Sequence, residues 1–497
     1  MAYSSVAFLL LSAVCAIVYY ALGRVKPVRA GQRRWVLLGF SWLYYMAAGP
    51  ILLLYLLFAI ITTYAGGRVA AKGNRAGVAI PLLLDFGMLA WLKYSNFAIA
   101  CFNRLPGLSL PFMKLALPLG ISFYTFQSAG YLLDVYWKRC EAETDLFQYA
   151  LFISFFPQLM QGPIGRYGTL GGQLAKDHAF CLTNVQRGLW RIAWGFFKKM
   201  VVADNAALYV NRIFGAYQDI RALGLQAVLM YSIQLYADFS GGIDVALGVA
   251  EILGISLDEN FRQPYFAASL TDFWHRWHIT LGTWMKDYLF YPITLSGWMG
   301  SFRHRCRKLF GKEIGRALPI GVANVIVFVA VGIWHGPAWH YIAYGLYNGL
   351  IIGISGLLAG TFRRWKTRLG IRNADPVFHA FCVVRTFLIV NISWFLDRAE
   401  SVPRAMLMFT ESFRGPFFSV NVIDPSDPAG CMRRLCIILA GCALILVVSI
   451  LRERGRDVRG FILARPVAVR FLLMTVLLMA CALCVSPEEG GFIYANF

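Results

Sequence analysis

Apolar runs about 20 residues long recur from one end of this chain to the other with short loops between them, and that spacing restricts the fold more than any other feature. A helix rising 1.5 Å per residue crosses the roughly 30 Å hydrocarbon core of a bilayer in about 20 residues. About ten or eleven stretches qualify to cross or deeply enter a membrane; they centre near residues 12, 42, 56, 90, 126, 200, 235, 328, 350, 388, 443 and 477, some of which pair. With 58% hydrophobic and 15% charged residues, the chain is too apolar for an ordinary soluble protein, and its mean hydropathy is +0.58. No polar block of domain size intervenes. Residues 1–497 are therefore expected to form one all-α, polytopic integral membrane domain.

A net charge of +21 would suit a nucleic-acid partner, but the basic residues sit in short loops rather than along one solvated face. The positive-inside rule accounts for them, and membrane lipids replace nucleic acid as the expected partner. Arg24, Lys26, Arg29, Arg33 and Arg34 crowd the loop 23–34, after an uncharged first run, so the amino terminus is expected outside the cell membrane and that loop inside. A cleavable signal would carry its charge before the apolar run, so residues 3–22 read as a retained helix. Loops 68–75, 301–316, 361–372 and 452–466 are placed in the cytoplasm; the loop 397–433 and the tail 488–497, with Glu488 and Glu489, are placed outside. The eleven cysteines form no disulfide framework or zinc pattern, and Cys481-Ala-Leu-Cys484 lies inside an apolar helix.

Glycine and proline interrupt several of these runs at membrane depth, which only surrounding protein or a water-filled cavity can tolerate. Gly49-Pro50 makes 35–61 either one kinked span or two half-spans, the second favoured by the basic loop 68–75 that follows. Pro118-Leu-Gly120, Pro157 to Pro163 and Gly332 to Pro337 are further breaks, and together they imply a polar cavity. The last places His335 and His340 on a broken turn. An ionisable side chain there costs roughly 2.5–3.5 kcal/mol on insertion scales, so a functional site competes with a packed, hydrogen-bonded turn histidine. A desolvated imidazole stays neutral and suits a general base, which makes His335 the candidate; His340, between Trp339 and Tyr341, reads as a packing residue.

Three polar clusters accompany it. In Thr271 to Trp284, helical spacing puts Trp274, Trp277, Leu281 and Trp284 on one face and Arg276, Thr280 and Asp287 on another, as in an interfacial amphipathic helix. His275 and His278 stand three apart with no carboxylate or thiolate to complete a set, so no metal is expected. Phe155 to Tyr167 holds two prolines six apart and should line a cavity or form a re-entrant loop. Tyr236 to Asp244 places Asp238 and Asp244 in an apolar stretch, where partnered structural carboxylates are expected.

Gln161-Gly-Pro-Ile-Gly-Arg166, Asp238-Phe-Ser-Gly, Asp272-Phe-Trp-His-Arg-Trp-His278 and Trp334-His335-Gly336, in that order, resemble the membrane-bound O-acyltransferase family in its bacterial cell-envelope branch. The likeness is to alginate O-acetyltransferase-type proteins, with the teichoic-acid D-alanyltransferase as a shorter relative, and is strongest over about 117–350. The resemblance implies a helical shell with re-entrant segments around a transmembrane tunnel. The family's invariant histidine falls on His335 and its second histidine on His278; His275 sits where relatives carry Asn or Arg. Pro292-Ile-Thr-Leu-Ser296 departs from the Pro-Leu-Gly-Gly-Asn run of the alginate enzymes, so the resemblance leaves the acceptor polysaccharide open. Phe492-Ile-Tyr494-Ala-Asn-Phe497 resembles the branch's aromatic carboxy-terminal motif, whose tyrosine carries the acyl group; by residue type alone an interfacial anchor is the alternative.

The expected activity is transfer of an acyl group, acetyl above all, from a cytoplasmic thioester donor across the membrane for O-acylation of an extracellular polysaccharide. His335, His278 and Tyr494 are the catalytic candidates. Trp334, Arg276, Trp277, Asp272, Gln161, Arg166 and Asp238 are the substrate-binding ones. No bound cofactor is expected; acetyl-CoA or a carrier-protein thioester is the donor, and an extracytoplasmic SGNH-type acyltransferase is the expected partner. D-alanyl transfer to teichoic acid, a role in peptidoglycan O-acetylation, and a lipid or polysaccharide transporter without chemistry are the alternatives.

Overall fold

A computed structural model describes residues 3, 5–25, 31–217, 223–372 and 375–486. These residues are helical almost throughout, and the only extended pairing among them is an isolated antiparallel bridge between Phe261 and Trp277. Among the described residues, six helices are long and apolar enough to cross a bilayer: Val6–Gly23, Pro50–Ala70, Ala76–Phe102, Gly297–His335, Pro376–Arg398 and Pro428–Glu453. A pair bent by 56°, Trp339–Leu357 and Ala359–Arg368, makes a seventh if it is one span. The chain is a multi-pass membrane protein. The other apolar stretches are shorter, such as Arg34–Met46 and Val467–Leu483, or sunk in protein, such as Ile121–Tyr136 and most of Gly224–Ile252.

Two compact units emerge. The first comprises Met1–Asp204, Tyr236–Glu259 and Arg454–Phe497; the second comprises Asn205–Leu235 and Asn260–Glu453.

In the first unit, Gly49, at φ 152°, ends the short helix before Pro50, so the break at Gly49-Pro50 separates a 13-residue helix from a complete span instead of two half-spans. The proline-broken segment is buried without a gap from Gln148 to Gly165. Backbone groups freed there need partners, and distant side chains supply them. The Tyr3 hydroxyl donates to the Pro157 carbonyl at 2.8 Å and accepts from the Met160 amide at 3.2 Å, while Ser41 Oγ accepts from the Phe156 amide at 3.1 Å.

In the second unit, Gly297–His335 is two helices joined at Gly311, where φ is 77° and ψ −175°. The second of them packs on Trp339–Leu357 through small residues, the usual way for helices to approach closely where lipid supplies no hydrophobic drive. A Cβ on Gly332 would lie 2.2 Å from the Tyr341 carbonyl oxygen, and one on Gly345 2.2 Å from that of Phe328. This close crossing fixes the end of the helix that carries His335.

One expectation fails here. Residues 271–284 do not form a continuous amphipathic helix: Leu270–Arg276 ends, Trp277 is extended, and Ile279–Met285 begins after His278. The cause is backbone pairing with a distant strand-like segment, since the Arg262 amide donates to the Arg276 carbonyl and the Ile279 amide to that of Asn260, both at 3.0 Å.

Candidate active site

His335 is the last residue of its helix, and Gly336 continues as extended backbone. Any residue could adopt that conformation, but a Cβ on Gly336 would lie 2.4 Å from the Tyr341 ring, so the glycine after the histidine is a steric requirement. His335 is buried, with the rings of Trp334, Tyr344 and Tyr341 centred 5.3, 5.1 and 6.0 Å away. Its Nδ1 lies 3.1 Å from Asp397 Oδ1, with the N–H not aligned on the oxygen. The other carboxylate oxygen of Asp397 accepts from the Tyr231 hydroxyl at 2.7 Å. Asp397 is in the last turn of Pro376–Arg398, one turn beyond Trp394, whose indole stacks on Tyr344 with centroids 6.0 Å apart. The aromatic packing thus sets the carboxylate against the imidazole.

His278 stands beside this pair. Its ring centre is 5.8 Å from that of Trp334, and its backbone is left-handed at φ 46°. A non-glycine residue held there costs about 1–2 kcal/mol and persists only where its surroundings impose it. Asn260 imposes it: its Oδ1 accepts from the Thr280 amide at 2.9 Å and the Thr280 hydroxyl at 2.7 Å, and lies 3.5 Å from His278 Nδ1. His278 lies outside the spanning helices, and complete burial, with His335 nearby, pushes its pKa down to about 3, so its imidazole is neutral.

Trp277 is buried between Phe273 and Trp394, with centroids 5.5 and 5.6 Å away. Asp272 and Arg276 pair at 2.9 Å, and Arg276 also donates to both oxygens of Glu453 at 2.9 Å. His340 Nδ1 meets the Leu396 carbonyl at 2.8 Å, which fits a packing role. Gln161, Arg166 and Asp238 belong to the first unit. There a Cβ on Gly242 would lie 3.0 Å from the Gln161 carboxamide, so the Gln161 and Asp238 motifs pack together. Both polar atoms of the Gln161 side chain are buried without a hydrogen bond among the described residues. Arg166 is half-buried at the start of Tyr167–Leu174. Tyr494 lies outside the described residues, as do the tail acids Glu488 and Glu489.

The expectation of partnered structural carboxylates fits the geometry around Asp238 and Asp244. A π-helical stretch, Phe197–Ala203, carries two adjacent buried lysines. Lys199 contacts Asp238 at 2.7 Å and Asp204 at 2.8 Å; Lys198 contacts Asp244 at 2.7 Å, and Arg191 reaches Asp244 at 2.9 Å and Glu259 at 2.5 Å.

Reasoning from sequence missed Asp397, Tyr231 and Asn260. Asp397 fell at the edge of a span, and 397–433 read as an outer loop. One signal was available: a carboxylate in the last turn of a helix faces the negative end of the macrodipole, an unfavourable place that calls for a specific partner.

Comparison with known proteins now supplies an identity. Residues 141–389 match the model of the membrane-bound O-acyltransferase family. A probable alginate O-acetylase of Pseudomonas aeruginosa is 32% identical over 76% of this chain and 69% of its own length. A peptidoglycan O-acetyltransferase of Helicobacter pylori is 32% identical over 67% of this chain and 64% of its own, and a teichoic acid D-alanyltransferase of Bacillus subtilis 28% identical over 56% and 68%. The matched span contains the buried histidine, its neighbour His278 and the Gln161 and Asp238 motifs, and the chain belongs to the membrane-bound O-acyltransferase family as a multi-pass membrane O-acyltransferase.

Proposed function

We propose that this enzyme moves an acetyl group from a cytoplasmic thioester, acetyl-CoA above all, to the outer face of the cell membrane for O-acetylation of an extracellular polysaccharide. The observation that carries the reading is the approach of Asp397 to His335 Nδ1 at 3.1 Å, behind a wall of aromatic rings. Asp397 favours the tautomer with hydrogen on Nδ1, and proton transfer then falls to Nε2. As an acceptor hydroxyl attacks the thioester carbonyl, Nε2 takes its proton; the carbon–sulfur bond then breaks, and the imidazolium returns the proton to the departing thiolate. A dyad hydrogen bond that is poorly aligned at rest is expected to tighten only as the imidazolium forms. The surrounding Trp334, Tyr341 and Tyr344 exclude water that would hydrolyse the thioester. Neutral His278, held by the Asn260 turn, orients the donor or the base.

Tyr494 is the proposed first acceptor, since an ester to a phenol leaves more readily than one to an alkyl alcohol. A separate extracytoplasmic transferase of the SGNH type would complete delivery. Acetylation rather than D-alanylation is favoured by the names and identities of the relatives, at 32% for the alginate and peptidoglycan O-acetylating proteins against 28% for the D-alanyltransferase. The test uses purified protein in nanodiscs with radiolabelled acetyl-CoA. Wild type should gain label or release CoA far above His335→Ala. Equal turnover by the two removes the reading, whereas label that persists in Tyr494→Phe removes only the tail's part.

A further inference from the structure

In the first unit the span ending at Ala70 and the helix Ile121–Tyr136 finish at the same end, and between their ends lies an open cavity of about 650 Å³. That volume is within the roughly 300–1,000 Å³ of small-molecule sites. Its charged lining is Arg68, Lys72, Lys138, Arg139 and Glu141. Basic residues at helix ends have an ordinary use, to offset the negative end of the macrodipole. Here they exceed it. Each helix end supplies about half a negative charge, Glu141 adds a full one, and Asp134 pairs with Arg139 at 3.5 Å, so about one positive charge remains over. Neither Arg68 nor Lys72 has an ion-pair partner among the described residues.

The backbone gives an independent indication. Lys138 is the residue where the Ile121–Tyr136 helix turns out, and it is left-handed at φ 61°, a position normally given to glycine. The turn is held by the Arg139 amide donating to the Asp134 carbonyl at 2.8 Å. A lysine kept in that strained conformation points to a use for its ammonium. That group donates to the Ala71 carbonyl across the cavity, which leaves two of its three hydrogens for a ligand. Arg139 lies over the Trp137 ring, 4.7 Å from its centre, as expected of a membrane-interface anchor.

We propose that this cavity binds a phosphate group at the membrane surface. The single leftover charge matches a phosphodiester, and the position at the end of the span Pro50–Ala70 favours the headgroup of an anionic phospholipid over the phosphates of a soluble nucleotide. The inference is independent of the acyl-transfer reading and needs no activity to test.

The experiment compares wild type with Arg68→Gln/Lys72→Gln and with Lys138→Gly, in nanodiscs of phosphatidylcholine with and without phosphatidylglycerol. Native mass spectrometry reads the retained lipid, equilibrium binding of CoA in phosphatidylcholine discs reads the soluble source, and thermal unfolding reads the fold. Lys138→Gly relieves the left-handed backbone and so should fold at least as well as wild type. Preferential retention of phosphatidylglycerol, falling about fivefold for each charge removed, supports the lipid source. CoA binding lost in the same variants supports the phosphate site with the soluble source. Equal retention of the two lipids together with CoA binding that neither variant weakens, or ligand retention unchanged in a folded Lys138→Gly, overturns the proposal.

Discussion

Replacing Asp397 with Asn tests the dyad with little change in shape. The side chain is 1% exposed, and an Asn oxygen could still accept from the Tyr231 hydroxyl, so packing and that hydrogen bond survive. What disappears is a negative charge 3.1 Å from the imidazole that becomes positive during transfer. At an effective dielectric near 20, a unit pair at that distance is worth about 5 kcal/mol. The amide dipole recovers part of this, and an Asn amide facing Nδ1 favours the wrong tautomer. The expected loss is therefore about 10²–10⁴ in kcat, the range in which positioned general bases contribute. Initial rates of CoA release from acetyl-CoA in nanodiscs would measure it, with KM changed less than about threefold because in the proposed mechanism Asp397 acts on the base and not on the donor. Tyr231→Phe should lower kcat by a smaller factor, about 5- to 30-fold, by releasing one oxygen of the carboxylate. A folded Asp397→Asn enzyme with kcat within threefold of wild type would refute the dyad.

Three further outcomes follow from the packing. Gly345→Ala should lower stability by about 1–3 kcal/mol, since its Cβ would lie 2.2 Å from the Phe328 carbonyl oxygen; chemical unfolding in detergent checks it. Lys199→Met strips Asp204 and Asp238 of their shared cation and should cost about 3–5 kcal/mol, with partial recovery when Asp238→Asn is added; thermal unfolding of both variants decides. Asn260→Ala removes the acceptor shared by two Thr280 donors and frees the His278 turn, so kcat should fall about tenfold while stability falls about 1–3 kcal/mol; kinetics and unfolding on one preparation separate the two effects.

The membrane class and the histidine were legible because lipid makes both conspicuous: apolar runs have no other home, and a histidine at the broken end of one is costly. The number of crossings was less legible. Hydropathy does not distinguish a helix facing lipid from one buried in protein, and Gly224–Ile252 is apolar for the second reason. The break at His278 was hidden because its cause is 18 residues away at Asn260, a backbone pairing that no periodicity around Trp274 to Trp284 records. Asp397 was hidden for a related reason. Its role depends on two helices, Gly297–His335 and Pro376–Arg398, ending side by side, which glycine contacts and aromatic stacking decide in three dimensions.

Two sets of buried ion-paired groups in this chain differ in their geometry at rest, and the difference separates support from chemistry. In the first unit, Lys198, Lys199 and Arg191 each meet a carboxylate at 2.5–2.9 Å, which is the geometry a resting ion pair needs to offset its desolvation. In the second, the His335–Asp397 contact is longer and misaligned, and His278 is held in a strained backbone beside it. Groups that are fully satisfied at rest have nothing to gain in a transition state; groups held slightly short of satisfaction do. The two kinds should therefore answer differently to conservative substitution. Removing a lysine of the first unit should cost stability, whereas Asp397→Asn should cost rate while the melting temperature stays within a few degrees of wild type. If Asp397→Asn unfolds the protein as readily as Lys199→Met, the dyad is another structural pair and the distinction fails.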